Sequence, residues 1–217
     1  PGAAALDAGT AAAVANAETG APALITRAQW GADESIARPT LRNSNIKVMF
    51  VHHTATTNSY SGTAAAAAQI SAIYAYHVKV NGWYDIGYNF LVDNAGTIYE
   101  GRKGSIDEMV MGAHTEGFNT DSMGVSALGN YDIAAPPAAV LDSIGRVAAW
   151  QLGRHGFSPT STTVLTAGGG TTSTYAPGAQ VSLNTISVPR DVGKTALPGM
   201  SGSQLVSPIR PPPSRRV

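Results

Sequence analysis

The sequence predicts an α/β (α+β) fold, a β-sheet flanked by helices, and three observations carry that prediction. Short apolar runs bounded by polar segments suit buried strands, as in "KVMFVHH" and "SMGVSALG". One stretch, "YNFLVDNAGTIYEGR", sets two β-prone runs about Asp93-Asn94-Ala95-Gly96 and reads as a hairpin. Two segments of helical period interleave with these strands, which favours helices packed on the faces of a sheet.

In chain order, Lys47 to His53 forms the first buried strand. "TAAAAAQISAIYAYHVKV" follows, with Ile70, Ile73, Tyr74 and His77 at helical spacing and Thr63 as its cap. The hairpin comes next, then the "SMGVSALG" strand. "PPAAVLDSIGRVAAWQLGRHG" opens with Pro at a first-turn position, carries Val140, Leu141, Ile144, Val147 and Ala148 on one stripe, and stops near Gly156. "TTVLT" adds a further strand. No internal repeat is present. Residues 1–22 are Ala-rich without bulky core residues and read as a tether, 23–205 as the domain, and 206–217 as a Pro-rich basic tail that offers a strip for a protein partner.

Composition excludes several classes of function. The 217 residues carry no net charge and only 13% charged side chains, so no electrostatic grip on nucleic acid or an anionic membrane is expected. Cysteine is absent, which removes disulfides, thiolate metal ligands and a cysteine nucleophile. No apolar run approaches the roughly 18 residues of a membrane span. The abundance of Gly, Ala, Ser and Thr suits an exported bacterial protein, secreted or cell-wall associated. The chain opens at Pro1 with no signal-like apolar stretch, so a processed or trimmed N-terminus is expected.

Histidines are the conspicuous chemical groups. His52 and His53 end a strand, where successive side chains point to opposite faces, so one of them faces a given site. His114 lies in a Gly-flanked loop, "MGAHTEGFN", a setting that often carries function. His77 sits on the apolar stripe of its helix and reads as a packed, hydrogen-bonded core residue. His155, beside a helix-ending Gly, reads as a favourable C-terminal charge. Asp85 and Asp191 are lone carboxylates that read as caps or loop braces.

Taken together, "ITRAQWGA", "VMFVHHTA", "NGWYDIGYNFLVDNAGTIYEGR", "MGAHTEGFNTDSMGVSALGNY" and "ISVPRDVGKTALPG" resemble, in order, the peptidoglycan recognition proteins and zinc-dependent N-acetylmuramoyl-L-alanine amidases of the type 2 fold. The resemblance covers residues 25 to 200. It implies a central mixed β-sheet flanked by helices, a groove that takes a muramyl peptide and, in catalytic members, a zinc ion on three protein ligands. The metal makes hydroxide available for attack on the lactyl amide. The first ligand corresponds to His52, and Tyr88 corresponds to the tyrosine that assists the metal-bound water or the oxyanion. His114 and Thr195 fall in motifs that line the groove.

The resemblance breaks at the other two ligands. The family's Gly-His-Arg-Asp is here Val188-Pro189-Arg190-Asp191, and its Cys-Pro-Gly is Leu197-Pro198-Gly199. Pro189 and Leu197 have no lone pair to offer, so zinc is expected to be absent and Tyr88 to be a catalytic vestige. The cysteines often found before the helix and in the hairpin turn correspond to Gly62 and Ala95. Three readings stay open. One is a pseudo-amidase that binds a peptidoglycan fragment through His52, Tyr88, His114 and Thr195 without cutting it. Another is a hydrolase rebuilt on His52, His114 and Asp191, and the third is an interaction or inhibitor protein that no longer uses the groove.

Overall fold

The computed structural model describes residues 20–195, so Leu197, the Ala-rich start and the Pro-rich tail lie outside the described residues. Eight strands and three α-helices follow in order: β1 (Leu24–Ile25), α1 (Arg27–Trp30), β2 (Val48–His53), α2 (Gly62–Ala75), β3 (Phe90–Val92), β4 (Ile98–Glu100), β5 (Ser122–Ala127), α3 (Ala138–Arg154), β6 (Thr162–Thr166), β7 (Gln180–Asn184) and β8 (Ile186–Ser187). Six strands form one sheet in the order β1-β4-β3-β5-β2-β8. Its pairs are parallel except β3 with β4, the expected hairpin. The sheet is therefore mixed, as predicted.

β2 and β5 are buried along their whole length, which explains why they read as continuous apolar runs and not as alternating ones. One face of the sheet, through Met49, Val51, Phe90, Val92 and Val125, packs on Val140, Ile144, Val147 and Ala148 of α3. The other face is covered in two pieces. Ile70 and Tyr74 of α2 lie over Leu91 and Tyr99. Leu165 of β6 and Val181 and Leu183 of β7 lie over Val48 and Phe50. Between these two covers the sheet floor carries only small residues on β5, Gly124 and Ser126, opposite Phe50 and His52 of β2. That uncovered strip holds the cleft described below.

Local details depart from the sequence reading in four places. The cap position of α2 is Ser61, not Thr63, and makes no side-chain capping bond. Pro137 occupies the cap of α3, one position before its first turn. β6 is a strand, but it pairs with β7 in a separate two-stranded antiparallel sheet, a long-range pairing with no local signature. Burial and the adjacent Arg154 push the His155 pKa below its ordinary value, so it is not the charge expected at a helix end.

α2 continues into a π-helical turn, Tyr76–Val80, a departure often found near functional sites. The turn brings the His77 ring beneath the next loop, where Nδ1 accepts the Gly87 N–H at 3.0 Å. The start of α2 is tied to the hairpin turn by Tyr60: its hydroxyl accepts the Asn94 N–H at 2.8 Å and its carbonyl accepts from Asn94 Nδ2 at 3.0 Å. The turn itself is closed by Asp93 Oδ1, which accepts from Ala95 N and Thr97 N.

Candidate functional site

Four elements converge on the uncovered strip: the end of β2, the segment entering β3, the loop from Gly112 to Asn119, and the loop after β8. They line a cleft of about 290 Å³ that includes His52, Tyr88, His114, Pro189 and Thr195. The described residues assigned to the recognition groove and to the second metal-ligand position therefore open on one cavity, and Asp191 does not. His53, Thr115, Glu116, Thr172 and Gly193 complete the lining.

His52 and His114 meet directly, with Nε2 and Nδ1 at 3.3 Å. The Thr115 hydroxyl closes a triangle with them, 3.0 Å from His114 Nδ1 and 3.4 Å from His52 Nε2. The Tyr88 ring stands 5.3 Å from the His52 ring. His114 is held there by backbone geometry. Asn119 Oδ1 accepts the N–H groups of both His114 and Thr115 at 2.9 Å. The ring lies in a slot between Gly112 and Gly124, where a Cβ on either glycine would collide with it. Gly124 is fixed in turn by Asn89, which accepts its N–H and donates its own to the Gly124 carbonyl.

Burial keeps these imidazoles uncharged. It depresses the His52 pKa to about 3, with His53 adding to the effect. Burial and the neighbouring His52 hold His114 well below its ordinary value. Burial also raises the Tyr88 phenol, and the Ser126 hydroxyl opposes that shift. His114 Nε2 is sealed from solvent with no hydrogen-bond partner, an uncompensated polar atom of the kind that marks a site. His53 points to the opposite face as expected: Tyr131 N–H donates to its Nδ1 at 2.9 Å, and Asp132 lies 3.6 Å from Nε2.

The other candidates are braces. His77 Nδ1 is used on Gly87, and its ring stacks 4.5 Å from Trp83. Asp85 is fully buried and accepts from Arg27 Nη1, Ile86 N and Lys103 N. Asp191 Oδ2 accepts the Val188 N–H at 3.0 Å, folding the loop on itself, and it does not line the cleft. A larger cleft of about 700 Å³ lies elsewhere and shares no residue with this one. Three ion pairs lie along it, Arg27 and Lys103 with Glu34 and Arg42 with Glu108.

Among the described residues, the side chains do not make a zinc site. Pro189 offers no donor atom, and among the described residues no group of three or more His, Cys, Asp or Glu is placed to hold a metal ion. The rebuilt set His52, His114 and Asp191 is not brought together.

The sequence profile of the N-acetylmuramoyl-L-alanine amidase family matches residues 42–179, well over half of the chain. The chain belongs to that family. Within the amidase family it is 41% identical to Peptidoglycan-recognition protein SC2 of Drosophila melanogaster over 109 residues, 50% of this chain and 56% of the fly protein. It is 36% identical to the N-acetylmuramoyl-L-alanine amidase of Homo sapiens over 126 residues, 58% of this chain and 21% of the human protein. The chain thus spans about half the length of the fly relative and a fifth of the human one.

Among solved structures, bumblebee PGRP-SA shares the fold at a TM-score of 0.67 and 24% identity, covering 88% of this chain and 98% of that one. PGRP-LE, solved in complex with tracheal cytotoxin, a monomeric diaminopimelic acid-type peptidoglycan, matches at a TM-score of 0.55 and 32% identity over 62% of this chain and 76% of that one. These relatives confirm the fold class. The curated ones are animal proteins, so the bacterial origin expected from composition finds no support in them.

Thr115, Glu116, Thr172 and Gly193 were not singled out from the sequence. The first two adjoin His114 in a loop already marked, so proximity was the available signal. Thr172 comes from a Gly- and Thr-rich connection between β6 and β7 that has no periodicity to read.

Proposed function

We propose that this chain recognises a muramyl-peptide fragment of peptidoglycan and does not hydrolyse it, a pseudo-amidase that works without zinc. One observation carries the reading: the first-ligand histidine, His52, faces His114 and Thr115, while Pro189 lines the same cleft where the family resemblance places the second metal ligand. Without a metal, water keeps a pKa near 15.7 and is a poor nucleophile at neutral pH. The cleft, its aromatic wall at Tyr88 and its neutral hydrogen-bonding floor are features that suit binding. The peptidoglycan fragment bound by PGRP-LE adds support. Such a role places the protein outside the cell, at or near the wall. Among the described residues no helix is long and apolar enough to cross a membrane.

The test uses one preparation for three measurements: zinc per chain after dialysis, retention on insoluble cell wall, and release of free stem peptide. The expected result is retention without stoichiometric zinc and without release above a heat-killed control. Close to one zinc per chain, or release abolished by His52→Ala, overturns the pseudo-amidase reading. Absence of retention overturns recognition. The variant carrying Pro189→His and Leu197→Cys restores the family's ligand types, should take up zinc, and serves as the positive control.

A further inference from the structure

Resting on that recognition reading, we infer that Arg38 is a positioning residue: without lining the groove itself, it holds in place the loop that presents Trp83. A second cleft of about 500 Å³, walled by Trp83, shares His114, Thr115, Glu116 and Thr172 with the central one. Trp83 therefore stands on the wall of a longer groove. One side of its loop is held from within. The Trp83 ring lies 4.5 Å from that of His77, its backbone N–H donates to the His77 carbonyl at 2.9 Å, and a Cβ on Gly87 would strike the ring.

The other side of the loop is held by one residue. Arg38 Nη2 donates to the carbonyls of Gly82 at 2.6 Å and Trp83 at 3.0 Å, and the Arg38 N–H donates to the Tyr84 carbonyl at 2.8 Å. The guanidinium lies 4.4 Å over the Tyr84 ring, a favourable seat for a cation. Among the described residues no other group donates to the Gly82 or Trp83 carbonyl. Gly82 cannot brace the loop: it sits at a φ of +71°, where glycine is favoured, and a Cβ there would meet nothing within 4 Å. Arg38 can brace it because its own segment is anchored on both flanks. The Tyr74 hydroxyl donates to the Asp33 carbonyl at 3.0 Å, and the Met111 N–H donates to the Leu41 carbonyl at 2.9 Å. Without the guanidinium, the loop would become ordered only as ligand binds, and the cost of ordering would fall on affinity.

The experiment compares the full chain with Arg38→Met, which removes the guanidinium and keeps an unbranched stem. Trp83 supplies its own signal: it is 36% exposed, while Trp30 and Trp150, the other two tryptophans, are 5% and 6% exposed. Fluorescence quenching by acrylamide, a neutral molecule, therefore reads mainly Trp83. Arg38→Met should raise that quenching and weaken calorimetric binding of a synthetic muramyl peptide about two- to tenfold. Because Arg38 is exposed, Tm should fall by less than about 4 °C. Arg38→Lys restores a donor but not a flat guanidinium over Tyr84, so its quenching and affinity should lie between those of the parent and Arg38→Met. Parental quenching or parental affinity in Arg38→Met, or a larger fall in Tm, overturns this inference and leaves recognition standing. Failure of the parent chain to bind the peptide overturns recognition itself and this inference with it.

Discussion

Two buried polar clusters lie within this one sheet, and they are built on opposite rules. At the β1–β4 edge, Arg27 and Asp85 form a charged pair in which Arg27 also grips Glu34 and the Gly101 carbonyl, while Asp85 caps Ile86 and Lys103. The Arg27 guanidinium lies 4.9 Å over the Tyr74 ring. At the centre, His52, His114 and Thr115 are neutral, share loose contacts of 3.0–3.4 Å, and leave His114 Nε2 without a partner beside an open cleft. Charge matched by charge, with Arg27 Nη2 the one donor of that guanidinium left without a hydrogen-bond partner, is a structural solution, because a buried ion is tolerated only with its partners in place. Neutral polar groups that border a cavity need no ionic partner and can line a cleft without one.

The comparison is broken most forcefully at the charged cluster. Asp85→Ala should cost about 3–5 kcal/mol by stranding Arg27, a fall in Tm on the order of 10 °C, with wall binding by the remaining folded protein unchanged in affinity. A melting curve like that of the parent would mean that the pair is not structural. At the histidine cluster, Gly124→Ala should cost about 1–3 kcal/mol, because a methyl group enters the slot of the His114 ring. Combining it with His114→Ala should recover much of that loss, and additive effects in the double-mutant cycle would refute the clash.

Much of this was legible in the sequence, for reasons that differ by element. β2, β5 and the Asp93–Gly96 turn are fixed by local chemistry, so composition and spacing sufficed. The convergence of His52, Tyr88, His114 and Pro189, which are far apart in the chain, was legible through motif order alone. The β6–β7 hairpin was not, because its pairing depends on burying Leu165, Val181 and Leu183 against Phe50, a contact no local window contains. The slot for His114 was half visible: Gly112 and Gly124 flank it in sequence, yet their role is a close approach that only the folded chain displays.

Smaller effects sharpen the contrast. Tyr88→Phe should change stability by less than about 1 kcal/mol while weakening retention on cell wall, and a parallel loss of both would make Tyr88 structural. The smallest expected effect is on pH dependence, through His77. Burial and Arg102 lower its pKa to about 4 in the folded chain, below the ordinary value near 6.5. The folded state therefore binds fewer protons than the unfolded state across that window. Its contribution to stability is complete above about pH 6.5 and is lost progressively as pH falls toward about 4. His77→Gln should reduce the slope of denaturation midpoints over that window, to which the buried His52 and His114 also contribute, and an unchanged slope would count against the assignment.

The clasp between the mouth of α2 and the hairpin turn is made by Tyr60 and Asn94 alone among side chains that face each other there, in a chain with no cysteine. A hydrogen-bonded clasp of this kind has no redox potential. The groove wall it supports keeps its shape at any ratio of thiol to disulfide in the surroundings, and an excess of reductant should leave both melting and wall retention where they were.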